Sequence, residues 1–321
     1  MKQILAQVQK ILDEEQFLAQ PEELYRPIDY TLRLGGKRIR PCLLLAANQM
    51  FGGTPDSVKH AAIAIETFHN FTLLHDDLMD RSPLRRGKPT VYTLWGDNSA
   101  ILSGDTMFAL AWRYLLRTGH PRLLDILNTF NETAIQVCEG QQYDMNFERR
   151  NDVTVDQYLE MIRLKTAVLL AGALKMGALY ANAPTEDIQH LYNFGIHLGL
   201  AFQLQDDLLD AYGNTATFGK ATGQDIRDNK KTYLFLLALQ FASPTQQTRL
   251  RELFNENENN NENKVQEVLD IYLPLHIREK VQQAVADEFT QARQCLAEIN
   301  IDDKQKSPLY ELMDILFDRK K

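Results

Sequence analysis

Cysteine is scarce in this chain of 321 residues, and the three that occur, Cys42, Cys138 and Cys295, lie far apart. They form no C-x-x-C pair and show no metal-ligand spacing with histidine. A disulfide framework and a structural zinc site are therefore not predicted. A reducing, cytoplasmic setting is the expected location.

Long apolar runs and an excess of positive charge are also lacking. No stretch approaches the roughly 18 consecutive apolar residues of a membrane span, so neither a transmembrane helix nor a secretory leader is predicted. The formal net charge is −8, which does not suggest a nucleic-acid partner. An acidic chain of this kind would bind phosphates only through metal ions and a few local cations.

The alternation of apolar and polar residues that marks strands is missing as well, and apolar residues recur at helical spacing throughout. Three segments are so apolar that helices buried on most sides are predicted: Ala61–Leu74, Ile101–Leu116 and Val168–Leu179. The polar run from Asn255 to Asn263 predicts a solvated loop, after which helical spacing resumes at Val265. We predict an all-α fold of ten or more helices in a single domain, residues 1–321.

One acidic pattern, three aspartates at positions i, i+1 and i+4, occurs twice. Its members are Asp76, Asp77 and Asp80 in the first motif and Asp206, Asp207 and Asp210 in the second. On a helix the first and last carboxylates project from one face a turn apart, where their repulsion calls for a cation. Carboxylate oxygens suit Mg²⁺, which is usually shared with substrate phosphates. One motif alone could be a solvated helix end, but two predict opposed metal-binding walls of one cavity.

Cations lie close to the first motif along the chain. The turn Gly35–Pro41 contains Lys37 and Arg40, which could reach one anion together, although a solvated basic turn is the alternative. Pro41 is predicted at the first position of the next helix. A further helix is predicted to start after Pro55-Asp56 and to run to about Met79. His69 lies seven residues before Asp76 and so on nearly the same face.

Further basic residues follow each motif. Arg85 and Arg86 are adjacent on a loop, so they can contact two different anions, although simple salt bridges to the aspartates are the alternative. Lys165 and Thr166 lead the apolar segment Ala167–Tyr180, and Lys220 and Lys230 belong to a glycine-containing loop after the second motif. Asp105, inside an apolar helix, is expected to pair with an arginine. The segment Gly140–Asp144 is expected to end a helix.

Together, these motifs closely resemble those of the trans-isoprenyl diphosphate synthases, the polyprenyl synthetase family that includes farnesyl and geranylgeranyl diphosphate synthases. The resemblance runs from GGKRIRP, residues 35–41, to the second acidic motif and its lysine loop. It implies an all-α bundle around a central cavity, commonly a homodimer. It also implies a Mg²⁺-dependent transferase that joins isopentenyl diphosphate to dimethylallyl, geranyl or farnesyl diphosphate.

The resemblance also assigns roles to individual residues. Isopentenyl diphosphate would be bound by Lys37, Arg40, His69 and Arg86. About three Mg²⁺ ions on the allylic diphosphate would be faced by Asp76, Asp80 and Asp206, with Asp77, Asp207 and Asp210 nearby. The allylic diphosphate would also contact Arg85, Lys165 and Lys220. Gln203 and Thr166 would line the reacting region, Asp144 would support the arginines, and Lys230 would close the loop.

This chemistry requires no nucleophilic side chain. Metals and cations stabilise the negative charge that develops on the leaving pyrophosphate, so the allylic C–O bond can ionise. The double bond of isopentenyl diphosphate attacks the carbocation, and a proton is lost to the departing pyrophosphate. Apolar walls exclude water from the cation, which accounts for aspartates at the rim of apolar helices.

Product length should depend on the side chains below the first motif. Phe71 lies five residues before Asp76 and about 140° away on an ideal helical wheel, so its place in the cavity rests on the resemblance. One aromatic residue with the small neighbour Thr72 resembles the geranylgeranyl-forming members. Phe68 could shorten the product, which keeps farnesyl diphosphate open.

Two other classes of protein remain as alternatives. A terpene cyclase also uses an aspartate-rich metal site, but its second motif usually mixes Asn, Ser or Thr and Glu, and it needs no second diphosphate site. A non-catalytic subunit of a heteromeric prenyltransferase would share the fold, but such subunits are expected to lose acidic motifs. Both acidic motifs are complete in this chain.

Overall fold

The structure is a computed structural model that describes residues 1–213, 222–255 and 263–318. Within these ranges the chain is mainly helical. The only strands there have two residues each, Leu84–Arg85 (β1) and Lys88–Pro89 (β2), and pair as an antiparallel hairpin. The prediction of an all-α fold with ten or more helices is confirmed.

The helix boundaries follow local signals in several places. Pro55 opens α4, where its missing N–H group is not needed. Thr154 and Gln157 form a reciprocal capping box at the start of α8. A π-helical turn, Arg163–Ala167, joins α8 to α9. The described α-helices are α1 (Lys2–Glu14), α2 (Glu22–Arg33), α3 (Ile39–Met50), α4 (Pro55–Met79), α5 (Val91–Trp95), α6 (Asp97–Leu115), α7 (Leu123–Arg149), α8 (Val155–Ile162), α9 (Val168–Tyr180), α10 (Thr185–Tyr212), α11 (Gln224–Arg227), α12 (Tyr233–Phe241), α13 (Pro244–Asn255), α14 (Lys264–Tyr272), α15 (Ile277–Glu298) and α16 (Asp303–Phe317).

The helices cluster into two compact units, of which the first carries the first acidic motif. Unit 1 comprises Met1–Phe130, Ala173–Ile188 and Ile301–Leu309. In it α4 packs against α3 and α6, and α1 packs against α3 and α4. Gly177 permits close helix packing, because an added Cβ atom would lie 2.1 Å from the carbonyl oxygen of Leu44. These contacts fix the long helix that ends in the first acidic motif.

The second unit carries the second acidic motif. Unit 2 comprises the described residues of Asn131–Gly172, Gln189–Asn300 and Tyr310–Lys321. In it α12 packs against α8 and α15, and His197 of α10 lies 2.7 Å from a carboxylate oxygen of Glu288 on α15. This contact fastens the middle of α10, the helix that carries the motif. A single domain over residues 1–321 stays a prediction.

Burial of the three apolar segments differs from the prediction at one of them. No residue of Ala61–Leu74 or Val168–Leu179 is exposed. The expectation for Ile101–Leu116 is wrong, because Ile101, Leu102 and Leu116 are 47%, 58% and 60% exposed.

Among the described residues, no helix combines the length and apolar character required to cross a bilayer. The predicted polar loop falls mostly on residues 256–262, which lie outside the described residues.

Candidate active site

The first acidic motif ends α4, which finishes at Met79 as predicted and begins at Pro55 itself. Asp76 is partly buried and Asp80 is exposed. Asp77 is buried, and both its carboxylate oxygens accept hydrogen bonds of 2.8 Å from Nε of Arg85. The middle aspartate of the motif is therefore held within the protein. Burial raises the pKa of Asp77, and the hydrogen bond from Arg85 opposes that rise.

The hairpin β1–β2 explains how the adjacent arginines diverge. Its turn residues Arg86 and Gly87 both have left-handed backbone angles, with φ of 53° and 72°, as hairpin turns of this length prefer. Arg85 points to Asp77, whereas Arg86 donates a hydrogen bond to the carbonyl oxygen of Gly35. The alternative of simple salt bridges to the aspartates thus holds for Arg85 alone.

His75, directly before the motif, has an environment that the sequence did not predict. Gly104 of α6 makes room for its ring, because an added Cβ atom would lie 2.2 Å from Nε2 of His75. The same Nε2 atom lies 4.0 Å from a carboxylate oxygen of Asp105. The expected pairing of Asp105 with an arginine is wrong: its side chain is 63% exposed and faces His75.

The basic turn before α3 combines exposed and buried cations. Lys37 is exposed, Arg38 is buried, and Arg40 is partly buried in the first turn of α3. Nη1 of Arg40 lies 3.0 Å from Nε2 of His69 on α4. The helix begins at Ile39, so the prediction that Pro41 takes its first position is wrong by two residues. A proline is still tolerated there, because N–H groups of the first turn have no intrahelical partner.

The electrostatics of this turn favour a neutral histidine. Burial and the neighbouring Arg40 and Arg86 hold the pKa of His69 well below its usual value, so its ring can accept a hydrogen bond from Arg40. Burial also lowers the pKa of Arg40 to about 10, while nearby Glu66 opposes that change. His69 therefore serves as a neutral partner in a cationic cluster, as its predicted position on the motif face allows.

An aromatic cluster lies on the same helix before the motif. Phe68 is fully buried, and its ring centroid lies 5.6 Å from that of Phe71 and 5.3 Å from that of Phe130. Phe71 is partly buried and stacks on Phe108 of α6 at 5.5 Å. The hydroxyl of Thr72 donates to the carbonyl oxygen of His69 and so is used within the helix. Phe108 thus packs against both aromatic residues of the predicted product-length set.

The second acidic motif lies in the last two turns of α10. As in the first motif, the middle aspartate is buried and the outer two are less buried. Asp206 and Asp210 are partly buried, whereas Asp207 is buried. The carboxylate of Asp207 accepts hydrogen bonds from the hydroxyl of Tyr158 at 2.5 Å and from the amide of Gln203 at 3.1 Å. Burial raises the pKa of Asp207 to about 7, against the effect of the Tyr158 hydrogen bond. In both motifs, therefore, the middle aspartate binds a protein partner.

The π-helical turn places Lys165 and Thr166. Nζ of Lys165 lies 2.5 Å from a carboxylate oxygen of Asp144, and the Thr166 hydroxyl donates to Oε1 of Gln203 at 3.2 Å. Gly140 permits this approach, since an added Cβ atom would lie 2.3 Å from the backbone nitrogen of Lys165. The expectation that Gly140–Asp144 ends a helix is wrong, because α7 continues to Arg149. Asp144 supports a lysine in this structure, not the arginines as the resemblance implied.

The lysine loop is described only in part, and Lys220 lies outside the described residues. Nζ of Lys230 lies 3.7 Å from a carboxylate oxygen of Asp225. The backbone N–H of Asp225 in turn donates to the carboxylate of Asp210 at 2.9 Å. Lys231 donates to carbonyl oxygens at the C-terminal end of α7, those of Phe147, Glu148 and Arg150. The loop is thereby tied to both α7 and the second motif.

The carboxylates of the two motifs fit a Mg²⁺ site that is completed by phosphate oxygens of the substrate. Each motif offers carboxylates one helical turn apart, Asp76 with Asp80 and Asp206 with Asp210. Within the part of the chain that the structure describes, no group of three or more His, Cys, Asp or Glu side chains forms a complete metal cage. Mg²⁺ commonly uses one or two carboxylates, waters and phosphate oxygens rather than such a cage.

Comparisons with known proteins agree with this geometry. The polyprenyl synthetase family model matches residues 21–272. A short chain isoprenyl diphosphate synthase of Methanothermobacter thermautotrophicus is 36% identical over 93% of this chain and 91% of its own. A geranylgeranyl diphosphate synthase of Methanosarcina mazei is 41% identical over 73% of this chain and 72% of its own. A crystal structure of a geranylgeranyl pyrophosphate synthase superposes with a TM-score of 0.91, 40% identity and coverage of 100% and 98%.

The fold and the extent of these matches define the class of protein. The chain belongs to the polyprenyl synthetase family. The predictions of a prenyltransferase enzyme and of an isoprenoid-synthase type of fold are confirmed.

Several residues of the site were missed from the sequence. Glu66, a carboxylate inside the apolar segment Ala61–Leu74, was a signal for a buried partner. Tyr158 lies seven residues, or two helical turns, before Lys165, and that spacing could have drawn attention to it. Phe108 and Lys231 carried no local signal, because their contacts lie on distant segments.

Proposed function

We propose that this enzyme condenses isopentenyl diphosphate with dimethylallyl, geranyl and farnesyl diphosphate and that geranylgeranyl diphosphate is its main product. The observation that carries the proposal is the repeated arrangement of the acidic motifs. In each, the i and i+4 aspartates lie one helical turn apart and are less buried than the middle aspartate, whose carboxylate accepts a side-chain hydrogen bond from Arg85 or Tyr158. The names of the related synthases support the same reaction class.

The metal-binding roles fall first to Asp76 and Asp80 of α4 and to Asp206 and Asp210 of α10. Together they would hold about three Mg²⁺ ions on the allylic diphosphate. Bound Mg²⁺ would supply Lewis-acid stabilisation of the leaving pyrophosphate. Asp77 and Asp207 would contribute mainly by orienting Arg85, Tyr158 and Gln203, with which they form hydrogen bonds.

A different set of cationic side chains would bind each of the two diphosphates. Arg85, Lys165 and Lys220 would bind the allylic diphosphate, and their charges would favour its departure as pyrophosphate. Isopentenyl diphosphate would be bound by the basic turn and its neighbours, Lys37, Arg40, His69 and Arg86. Lys230, next to the carboxylate of Asp225, would help to close the loop over the bound substrates.

The uncharged groups of unit 2 would face the reacting carbons. The Thr166 hydroxyl donates to Gln203, whose amide in turn donates to buried Asp207, so both side chains are fixed in orientation. Their oxygens can stabilise positive charge as the allylic C–O bond breaks. The new C–C bond takes its electrons from the double bond of isopentenyl diphosphate, and the proton then lost goes to the departing pyrophosphate.

Product length would be limited by Phe71 together with its stacking partner Phe108. Phe71 is partly buried, whereas Phe68 is fully buried among three aromatic rings. A wholly buried ring is already surrounded by protein, so Phe68 contributes more to the core than to a cavity wall. This difference favours a geranylgeranyl product over farnesyl diphosphate.

A homodimer is also proposed, through the exposed face of α6. Ile101, Leu102 and Leu116 are about half exposed, and at 100° per residue they lie within about 100° of one another. The same side of the helix also carries the exposed carboxylate of Asp105, and exposed apolar side chains rimmed by polar residues often mark an interface. A second copy of the chain is the proposed partner, since the commonest oligomers are symmetric dimers in which the same face meets itself.

The deciding experiment is incubation of the purified chain with Mg²⁺, isopentenyl diphosphate and each allylic primer in turn, followed by product-length analysis. Geranylgeranyl diphosphate from all three primers is expected. A product that stops at farnesyl diphosphate would place the limit at Phe68 or another side chain. Cyclised hydrocarbons would indicate a terpene cyclase. No condensation by a folded sample would indicate a non-catalytic subunit.

A further inference from the structure

One buried ion pair fastens the basic turn to α4. The guanidinium of Arg38 donates through Nη1 to Oε1 of Glu66 and through Nη2 to the carbonyl oxygen of Leu32 at 2.5 Å. The side chains of Arg38 and Glu66 are only 3% and 2% exposed. Asn70, one turn after Glu66, donates to the same Oε1 atom at 2.8 Å. Arg38 is therefore committed to the protein and is not available to a substrate.

The backbone of this turn needs such a fastening. Gly35 and Gly36 have φ of 81° and 135°, and Arg38 has φ of 49° although it carries a side chain. An L-residue adopts this left-handed region only at a cost. The contacts of Arg38 with Glu66 and Leu32 offset that cost. Lys37 on one side of Arg38 is exposed, and Arg40 on the other side lies in the first turn of α3.

Glu66 also balances the charge of the turn. Arg40 and Arg86 are close enough for Arg86 to lower the pKa of Arg40, and Glu66 acts in the opposite direction on both arginines. The second carboxylate oxygen of Glu66, Oε2, is buried without a hydrogen-bond partner. Its negative charge therefore acts on the neighbouring arginines mainly through space.

We propose that Glu66 and Arg38 are positioning residues for the isopentenyl diphosphate site. The pair holds the turn so that Lys37 and Arg40 face the diphosphate, and the Glu66 carboxylate keeps the arginines together before the substrate arrives. This inference rests on the proposed function, in which Lys37 and Arg40 bind isopentenyl diphosphate. In the proposed arrangement, neither Glu66 nor Arg38 contacts the substrate.

The test compares Glu66→Gln with Glu15→Gln, the same chemical change at a partly buried carboxylate of unit 1. Glu15 accepts a hydrogen bond from Tyr114 at 2.9 Å. For Glu66→Gln, the KM for isopentenyl diphosphate should rise by about tenfold or more, since breaking a buried charge pair is costly. The KM for the allylic diphosphate should change less than about twofold. Glu15→Gln should leave both KM values near those of the parent.

Lys37→Ala and Arg40→Ala separate failure of this inference from failure of the proposed function. If they raise the KM for isopentenyl diphosphate while Glu66→Gln does not, the positioning role is wrong and the proposed function stands. If neither raises it, the assignment of the basic turn itself is wrong. Equal increases in both KM values for Glu66→Gln would indicate a general structural role and would also overturn the inference.

The double variant R38M/E66M decides the matter if Glu66→Gln does not fold. Replacing both members of a buried ion pair by apolar residues is often tolerated, whereas removing one leaves an unpaired charge. A folded double variant should still show the selective loss of affinity for isopentenyl diphosphate, because the turn has lost its fastening. Parental KM values for both substrates would overturn the inference.

Discussion

Phe71 of α4 stacks on Phe108 of α6, with their ring centroids 5.5 Å apart and their planes inclined by 25°. Phe71 also packs edge-on against the ring of His75, directly before the first acidic motif. The product-length residue expected from the sequence is therefore one side of an aromatic pair. Its partner comes from a different helix, so the proposed limit on product length would depend on the α4–α6 contact.

We expect Phe71→Ala and Phe108→Ala each to lengthen the main product beyond geranylgeranyl diphosphate, because either change removes half of the stacked pair. Phe68→Ala should instead lower the free energy of unfolding by about 3–5 kcal/mol, as for a buried phenylalanine. Product chromatography and urea unfolding distinguish the two effects. Phe241→Ala, at a half-exposed phenylalanine, is the matched control. An unchanged product for both Phe71→Ala and Phe108→Ala would contradict the assignment.

Asp76→Ala and Asp206→Ala should each reduce kcat by about 10²-fold or more, because each removes a proposed ligand of the ions that stabilise the leaving pyrophosphate. The far-ultraviolet circular dichroism spectrum should be unchanged, since neither side chain is in a core. Asp13→Ala, on the exposed face of α1, is the control and should retain activity. Near-normal turnover of either motif variant would refute its metal role.

His69 should make stability depend on pH. Its pKa in the folded state lies well below the unfolded value of 6.5, so the unfolded chain gains a proton below pH 6.5 that the folded chain does not. Stability from this group is thus present above pH 6.5 and is lost as the pH falls, by up to ~1.4 kcal/mol per pH unit.

Urea unfolding of the parent and His69→Gln between about pH 7.5 and 5.5 tests this linkage. The stability advantage of the parent should shrink by about 1 kcal/mol over that range. His276→Gln, at a histidine whose side chain is 76% exposed, is the comparison and should run parallel to the parent. A parallel course for His69→Gln would mean that the pKa of His69 is the same in the folded and the unfolded chain, which would contradict the burial argument.

Substitutions of the neighbours Lys230 and Lys231 should have different effects, one on activity and the other on stability. Lys231→Met removes the three hydrogen bonds to carbonyl oxygens at the end of α7 and should lower the free energy of unfolding by about 1–3 kcal/mol. Lys230→Met should lower turnover but change stability by less than about 0.5 kcal/mol, because the Lys230 side chain is 55% exposed and its ion pair is long, at 3.7 Å. Each variant is the control for the other, and reversed effects would contradict both roles.

Leu102→Glu should weaken the proposed homodimer, because it places a charge among the exposed apolar side chains of α6. Light scattering coupled to size-exclusion chromatography should show the parent at about twice its chain mass of 36.9 kDa and the variant nearer to a single chain. Leu18→Glu, at a leucine that is equally exposed, should leave the parental mass unchanged. A monomeric parent would refute the dimer.

Local patterns allowed several helices to be predicted closely. Helix α4 ends at Met79, and α9 spans Val168–Tyr180 where an apolar helix over Val168–Leu179 was predicted. Such limits depend on residues within a turn or two of each helix end. The exposure of α6 could not be predicted this way, because apolar spacing does not reveal whether another part of the chain covers a helix. The expected cytoplasmic location likewise stays a prediction.

Pairings across the chain were the least predictable features of the site. Asp105 faces His75, and Asp144 binds Lys165, whereas arginine partners were expected for both aspartates. The carboxylate itself was a correct signal that a partner was needed. Which cation supplies the partner depends on how helices distant in sequence pack together.

The sequence by itself determined the class of protein, because two acidic motifs in helical spacing, a basic turn and a lysine loop are all local patterns. The i, i+4 spacing alone places two carboxylates on one helix face. Only the tertiary structure decided how the middle aspartates are used and that Arg38 is committed to Glu66. Those choices depend on desolvation and on contacts between segments far apart in the chain, which spacing within one helix does not specify.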